Sequence, residues 1–170
     1  MINEYVNKLI ENLPENVTKN KSKIDLVLDG GMFNGSYLVG SLYFIKEMET
    51  RKYIEVDRIS GCSVGSIVAL LYFIDSLDLM AELYDVINKD FKTNYCLNSV
   101  KNIKTYLKDK IPNDICNKIN GKLFICYNDV KNNKKIIKSQ YKNVDEIFDT
   151  IIKSCYIPFL IDNNMLYKNK

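Results

Sequence analysis

Two glycine-rich segments, each directly after a short apolar stretch, constrain the fold more than any other feature of this sequence. Residues 24–28 read Ile-Asp-Leu-Val-Leu and lead into Asp-Gly-Gly-Met-Phe-Asn-Gly at 29–35, while residues 56–60 lead into Gly-Cys-Ser-Val-Gly at 61–65. An apolar pattern with helical spacing comes after each segment. This order of strand, loop and helix predicts an α/β fold with a mainly parallel central sheet, in which both loops meet at the ligand-binding edge.

Hydrophobic periodicity predicts the remaining elements. Ser36 is expected to cap the helix after the first loop, and an extended segment is expected from Pro158 through Phe159, Leu160 and Ile161. Strands are expected over 123–127 and 135–139, and helices over 37–50, 66–74, 78–88, 100–110, 114–119 and 144–154.

The N-terminal part differs in character from the rest of the chain. Apolar residues recur at helical spacing from Ile2 to Leu13, which predicts an amphipathic helix ending near Pro14. The polar stretch 15–23 predicts a linker. The chain of 170 residues has the length of one globular domain with one core. We therefore expect a helix and linker over 1–23 and a single α/β domain over 24–170.

The chain contains no histidine. This excludes a Ser-His-Asp triad, a Cys-His dyad and a histidine-ligated zinc site within the sequence. The five cysteines lack C-x-x-C spacing, which favours reduced thiols and argues against a metal site. Acid–base chemistry must come from Asp, Glu, Lys, Tyr or Cys.

Charge and hydropathy bear on partners and location. The net charge of +3, from 24 basic and 21 acidic residues, is too balanced to indicate a nucleic-acid-binding or membrane-binding surface. No signal-peptide pattern opens the chain, and the longest apolar run, 67–74, is far shorter than the ~20 residues that span a bilayer. We expect a cytoplasmic protein without a transmembrane segment. The abundance of Asn, Ile, Lys and Tyr is typical of an AT-rich genome.

The second glycine segment has the G-x-S-x-G pattern between a strand and a helix, which predicts a nucleophile elbow. Gly61 and Gly65 relieve crowding in the sharp turn, and Ser63 is exposed at its tip as the nucleophile. The Val64 amide at the start of the helix is placed to stabilise an oxyanion.

The first glycine segment can hold an anion on its backbone amides, which leaves two interpretations. A nucleotide phosphate is one, but the segment matches neither G-x-x-x-x-G-K-[ST] nor G-x-G-x-x-G, because Met32 replaces the middle glycine. Beside an elbow serine, an oxyanion is favoured, with Gly31, Met32 and Val64 as donors.

The order of these motifs over residues 24–74, with Ser-Cys-Tyr-Ile-Pro-Phe at 154–159, resembles the patatin-like phospholipases. The resemblance implies a three-layer α/β sandwich and a serine lipid acyl hydrolase that uses a Ser-Asp dyad without histidine, cofactor or metal. It implies that Ser63 is the nucleophile and that the loop from Gly30 to Gly35 forms the oxyanion hole. The substrate implied is a lipid or phospholipid acyl ester, met at a membrane surface.

The sequence departs from the family pattern at three places. Met32 replaces a glycine, Asn34 stands where Arg or Lys is usual, and no Asp-Gly-Gly or Asp-Gly-Ala follows Pro158. Asp162 is a weak candidate for the base, and Asp29 is expected to stabilise the loop. Residues 165–170 resemble the segment that precedes the family's Asp-Gly-Gly or Asp-Gly-Ala motif. The C-terminal part of the fold is therefore expected to be incomplete.

Two further expectations concern function. The alternative to an enzyme is a truncated or inactive patatin-like domain that binds lipid or a partner without turnover. An acyl chain requires an apolar channel near the elbow, and Val64, Ile67, Phe33 and Phe159 are expected to line it. The sequence does not indicate the oligomeric state.

Overall fold

A computed structural model describes residues 2–19, 21–32 and 34–167 of the chain. Its strands are β1 (Ser22–Leu28), β2 (Ile54–Cys62), β3 (Leu123–Asp129) and β4 (Lys134–Lys138). Its α-helices are α1 (Ile2–Glu11), α2 (Glu15–Lys19), α3 (Gly35–Thr50), α4 (Val64–Phe73), α5 (Leu79–Asn94), α6 (Ile103–Leu107), α7 (Ile115–Ile119) and α8 (Val144–Cys155). Short 3₁₀ helices at Asn98–Asn102 and Lys108–Lys110 flank α6.

The four strands form one sheet in the order β1-β2-β3-β4. The first three strands are parallel, and β4 returns antiparallel to β3. The turn between β3 and β4 is fixed by Asp129, whose carboxylate accepts hydrogen bonds from the amide and side chain of Asn132. The predicted α/β fold with a mainly parallel sheet is confirmed.

The core lies on one face of the sheet. Ile59 of β2 and Ile125 of β3 are fully buried beneath α4 and α8. Every residue of α4 is buried, because its sequence is apolar on all sides. Helix α4 therefore runs through the middle of the domain, and its first residue comes directly after the predicted elbow serine.

The other face of the sheet carries the alternate side chains of each strand. None of its positions is buried, and Val27 and Ile137 are 82% and 61% exposed. In the part of the chain that the structure describes, the helices that bury the sheet lie on the first face. The second helical layer of the sandwich that the resemblance implies is not seen within these ranges.

The N-terminal segment is partly as predicted. Helix α1 is confirmed, and its Val6 and Ile10 pack with Met48 of α3 in a small separate core. The linker expected over 15–23 is wrong, because α2 forms after Pro14 and β1 already begins at Ser22. An ion pair between Lys19 and Glu15, four residues apart, supports this short helix.

Two local predictions on α3 and α6 need correction. Helix α3 begins at Gly35 with Asn34 at its N-cap, so Ser36 lies inside the first turn and does not cap it. The helix expected over 100–110 divides into a 3₁₀ turn, α6 and a second 3₁₀ turn. These helices are only three to five residues long. Segments this short contain too few periodic positions for the sequence to distinguish an α-helix from a 3₁₀ helix.

The extended segment expected from Pro158 to Ile161 is also wrong. Residues 159–162 form turns, with Phe159 at φ 64° and the Ile161 amide donating to the Ile157 carbonyl over 3.3 Å. The chain curls around Asp162, whose carboxylate accepts from the Tyr156 hydroxyl at 2.6 Å. These polar contacts override the strand preference of the apolar side chains.

Candidate active site

Ser63 occupies the turn between a strand and a helix. Strand β2 ends at Cys62 and α4 begins at Val64. Ser63 has φ 52° and ψ −126°, a backbone conformation that residues with a side chain rarely adopt and that costs about 1–3 kcal/mol. The predicted sharp elbow is therefore present in the backbone, with a serine at its strained position.

The two glycines of the elbow allow the backbone segments to approach closely. A Cβ added to Gly61 would lie 2.6 Å from the Gly65 carbonyl oxygen. A Cβ added to Gly65 would lie 2.4 Å from the Leu28 carbonyl oxygen. Both clashes are with backbone, so neither position accepts a side chain without a shift of the sheet edge. The glycines bring the elbow against the end of β1.

Neighbouring hydroxyl groups hold the backbone of Ser63. Its amide donates to Ser154 Oγ over 2.8 Å, and Ser154 Oγ donates to the Cys126 carbonyl over 2.7 Å. Ser66 Oγ donates to the Ser63 carbonyl over 2.6 Å. Neither Ser154 nor Ser66 has a site role that the sequence predicts. Only Ser154 carries a signal, as part of the segment that resembles the family.

The first glycine segment lies beside the elbow. A Cβ on Gly30 would lie 3.3 Å from Ser63 Cβ. The Gly30 amide donates to Asp29 Oδ1 over 2.7 Å, which gives Asp29 the loop-stabilising contact expected of it. Among the described residues, the amides of Gly31 and Met32 have no hydrogen-bond acceptor.

The end of this segment packs against the elbow as well. Gly35 is buried at the start of α3, and a Cβ there would lie 3.0 Å from Val64 Cγ2 and 2.7 Å from Met80 Cε. The backbone N–H of Asn34 donates to the Gly31 carbonyl over 2.8 Å, and this hydrogen bond closes a turn in the loop. The structure thus brings the two glycine segments together at one edge of the sheet.

A cavity of about 210 Å³ opens in front of Ser63. Its lining includes Val64 and Ile67, as expected, whereas Phe159 is not among the lining residues and Phe33 lies outside the described residues. The lining is mostly apolar and, in the described ranges, contains no carboxylate: Gly31, Met32, Ser63, Val64, Ile67, Met80, Tyr84, Ile87, Asn88, Leu97, Val100, Cys155 and Ile157.

Cys155 lines this cavity and contacts the elbow. Burial raises the pKa of its thiol to about 12, and the Ser66 and Ser63 side chains act against that shift. The thiol is therefore neutral at pH 7 and is neither a thiolate nucleophile nor a base in this state.

Asp162 lies in a different environment from the one a general base requires. Its carboxylate is bound by Lys101 and accepts from Tyr156 and from the Asn164 amide. The Lys101 ammonium, followed by the Tyr156 hydroxyl, lowers the pKa of the Asp162 carboxyl. Asp162 is not among the residues that line the cavity.

Neither a metal cluster nor a membrane span is found in the described ranges. They contain no group of three or more Cys, Asp or Glu side chains arranged to hold a metal ion. No helix within them has the length and apolar character needed to cross a bilayer.

The mainly parallel sheet carries an elbow serine beside a glycine-rich loop, in front of an apolar cavity. These features define an α/β domain of the nucleophile-elbow class. The sequence model of the patatin-like phospholipases matches residues 26–167, and the chain belongs to this family.

Two relatives are mammalian acyltransferases. The chain is 28% identical over 134 residues to the 1-acylglycerol-3-phosphate O-acyltransferase Pnpla3 of Mus musculus, a match that covers 74% of this chain and 32% of that protein. It is 25% identical over 134 residues to the PNPLA3 of Homo sapiens with the same name, covering 75% of this chain and 28% of that protein. The chain thus spans about a third of the length of these relatives.

Proposed function

We propose that this domain cleaves lipid acyl esters through an acyl-enzyme at Ser63. The observation that carries the proposal is the position of Ser63, at a strained elbow that faces an apolar cavity. A serine held in this way presents its hydroxyl to a bound ester, while the apolar lining suits an acyl chain.

The reaction has two steps. Ser63 Oγ attacks the ester carbonyl carbon, the bond to the leaving alcohol breaks, and the serine proton passes through a base to the alkoxide. Water then attacks the Ser63 ester and releases the fatty acid. The amides of Gly31, Met32 and Val64 stabilise the oxyanion of each tetrahedral intermediate, and the N-terminus of α4 adds partial positive charge.

The general base is not assigned. The resemblance implies an aspartate, but the cavity lining in the described ranges contains none. Asp162 is held by Lys101 and Tyr156, so we expect Asp162→Asn to leave the reactivity of Ser63 unchanged. Slower labelling of a folded Asp162→Asn variant would assign the base to Asp162 after all.

A second candidate reaction is acyl transfer to a lysophospholipid. It is favoured by the two relatives, which are named as 1-acylglycerol-3-phosphate O-acyltransferases. Both reactions share the acyl-enzyme at Ser63 and differ only in whether water or a lipid hydroxyl accepts the acyl group. Adding 1-acylglycerol-3-phosphate to the assay separates them, because transfer yields a diacyl product and hydrolysis yields free fatty acid.

Attachment to a membrane surface is supported by the rim of the cavity. Ile157 lines the cavity and is 40% exposed, and nearby Phe159 is 62% exposed. We propose that this rim contacts the lipid surface of a cytoplasmic membrane. Phe159→Glu is expected to weaken flotation with phospholipid vesicles, while Val130→Glu, at an exposed apolar residue in the β3–β4 turn, is not. Equal flotation of both variants would contradict this placement.

The acyl-enzyme is tested by labelling with a fluorophosphonate probe. Ser63→Ala is expected to abolish labelling, and Ser36→Ala, at an exposed serine of α3, to leave it unchanged. If the folded protein is not labelled and releases no fatty acid while it still binds acyl chains, the domain is an inactive lipid-binding module and the enzymatic proposal fails.

A further inference from the structure

Two cysteines are direct neighbours in the parallel ladder behind the elbow. Cys62, the last residue of β2, pairs with Cys126 of β3. Paired positions of a ladder carry their side chains on the same face of the sheet. This is the face on which no residue is buried, and both thiols are partly exposed there.

The spacing of the two residues suits a disulfide. Neighbouring strands lie about 4.7–4.9 Å apart, within the Cα separation of roughly 4.4–6.8 Å that disulfides require. The two side chains also touch: burial, followed by the contact with the Cys62 side chain, raises the pKa of the Cys126 thiol. The raised pKa keeps Cys126 protonated, so we expect peroxide to oxidise the Cys62 sulfur first.

The other three cysteines have different surroundings. Cys155 is buried against Ser63 and Ser66. Cys96 donates to Asp90 Oδ1 over 3.5 Å, and Cys116 lies in α7. None of these three belongs to a strand of the described sheet, so the Cys62–Cys126 pair is distinct in having two thiols side by side in register.

We propose that Cys62 and Cys126 are a modification site at which a peroxide forms a reversible disulfide. One thiol reduces hydrogen peroxide and becomes a sulfenic acid with loss of one water. The sulfur of the second thiol then attacks the sulfenic sulfur, the S–S bond forms, and a second water leaves. A dithiol reductant reverses the bridge by thiol–disulfide exchange. The bridge is partly exposed and joins two positions that the ladder fixes, so we expect it to be reduced more easily than a buried structural disulfide.

The bridge lies directly behind the elbow. Cys62 precedes Ser63 in the chain. The Cys126 carbonyl accepts a hydrogen bond from Ser154 Oγ, and Ser154 Oγ in turn accepts one from the Ser63 amide. Oxidation therefore ties the end of β2, next to Ser63, to the middle of β3. The inference does not depend on any reaction at Ser63, since it concerns thiols that can be followed by mass alone.

The test is peptide mapping of the folded protein after treatment with hydrogen peroxide. Trypsin places Cys62 in the peptide 59–89 and Cys126 in the peptide 123–131, each as its single cysteine. We expect these two peptides to appear as one linked species, lighter by two hydrogen atoms than their sum, that separates after reduction with dithiothreitol.

Variants make the assignment specific. Cys62→Ser and Cys126→Ser are each expected to abolish the linked species, while Cys116→Ser retains it. A bridge between Cys62 and Cys155 would overturn the proposal, as would sulfinic acid at either residue without any bridge. A bridge that forms only in denaturant would overturn it as well. Thermal melting of each variant verifies that it is folded before oxidation.

Discussion

The amide of Ser63 donates to the side-chain oxygen of Ser154 over 2.8 Å, a contact between residues 91 positions apart in the chain. Ser154 lies in the last turn of α8, and its hydroxyl donates a hydrogen bond to the Cys126 carbonyl of β3. The strained elbow is thus hydrogen-bonded to a helix that lies much further along the chain. Its geometry depends on the packing of α8 against the sheet.

Ser154→Ala is expected to slow fluorophosphonate labelling of Ser63 by about tenfold, which corresponds to an increase of roughly 1.4 kcal/mol in the activation free energy. The variant removes the acceptor of the Ser63 amide and leaves a partly buried donor unpaired. Ser154→Thr, which keeps the hydroxyl, is the matched control and should label nearly as fast as the parent. If both variants label equally, Ser154 does not position the elbow.

This contact also marks the limit of what the sequence could predict. The elbow can be predicted because its signal is local: a strand, five residues and a helix contain all of it. The roles of Ser154 and Cys155 depend on how α8 docks beside α4, which no short pattern encodes. The resemblance of residues 154–159 to the family points to the segment but not to the hydrogen bond.

Gly65→Ala is expected to destabilise the domain by about 1–3 kcal/mol, because the new Cβ meets the Leu28 carbonyl oxygen at 2.4 Å and backbone must move. A thermal melt should show a midpoint lowered by about 2–4 °C per kcal/mol for a chain of this size. Gly40→Ala is the control: a Cβ there meets nothing within 4 Å, and the helical position should gain about 0.5–1 kcal/mol. Similar midpoints for the two variants would contradict the close approach at Gly65.

Two departures from the predicted elements involve polar contacts that hydrophobic periodicity does not encode. The strand pattern at Phe159 to Ile161 gives way to turns around Asp162, which binds Lys101 and Tyr156. The supposed linker after Pro14 contains a helical turn closed by the ion pair of Lys19 with Glu15. Lys101 is 61 residues away from Asp162 in the chain, so this contact depends on the tertiary fold. The ion pair of Lys19 and Glu15 is a local, exposed contact that adds only slightly to the helical turn.

Ile157→Lys is expected to reduce hydrolysis of long-chain esters more than hydrolysis of acetyl esters. The substitution places a charge at the rim of the apolar cavity, where only a long acyl chain must pass. Ile137→Lys, which adds the same charge on the opposite sheet face at a residue 61% exposed, is the control and should change neither rate. Measuring kcat/KM for a series of ester lengths tests this, and an equal loss for all lengths would contradict the role of the cavity in holding the chain.

Asp162→Asn is expected to lower the melting temperature at pH 7, because Lys101 and Tyr156 stabilise the ionised carboxylate in the folded state. Since they lower the pKa of Asp162 on folding, the difference from the parent should be full above the ordinary carboxyl pKa of about 3.9. It should shrink as the pH falls below that value, because the folded protein then loses the benefit of the charge. Asp109→Asn, at an exposed residue next to α6, serves as the matched control, and its melting temperature is compared with that of the parent over the same pH range. A difference for Asp162→Asn that stays constant down to strong acid would show that the carboxylate charge is not what stabilises this turn.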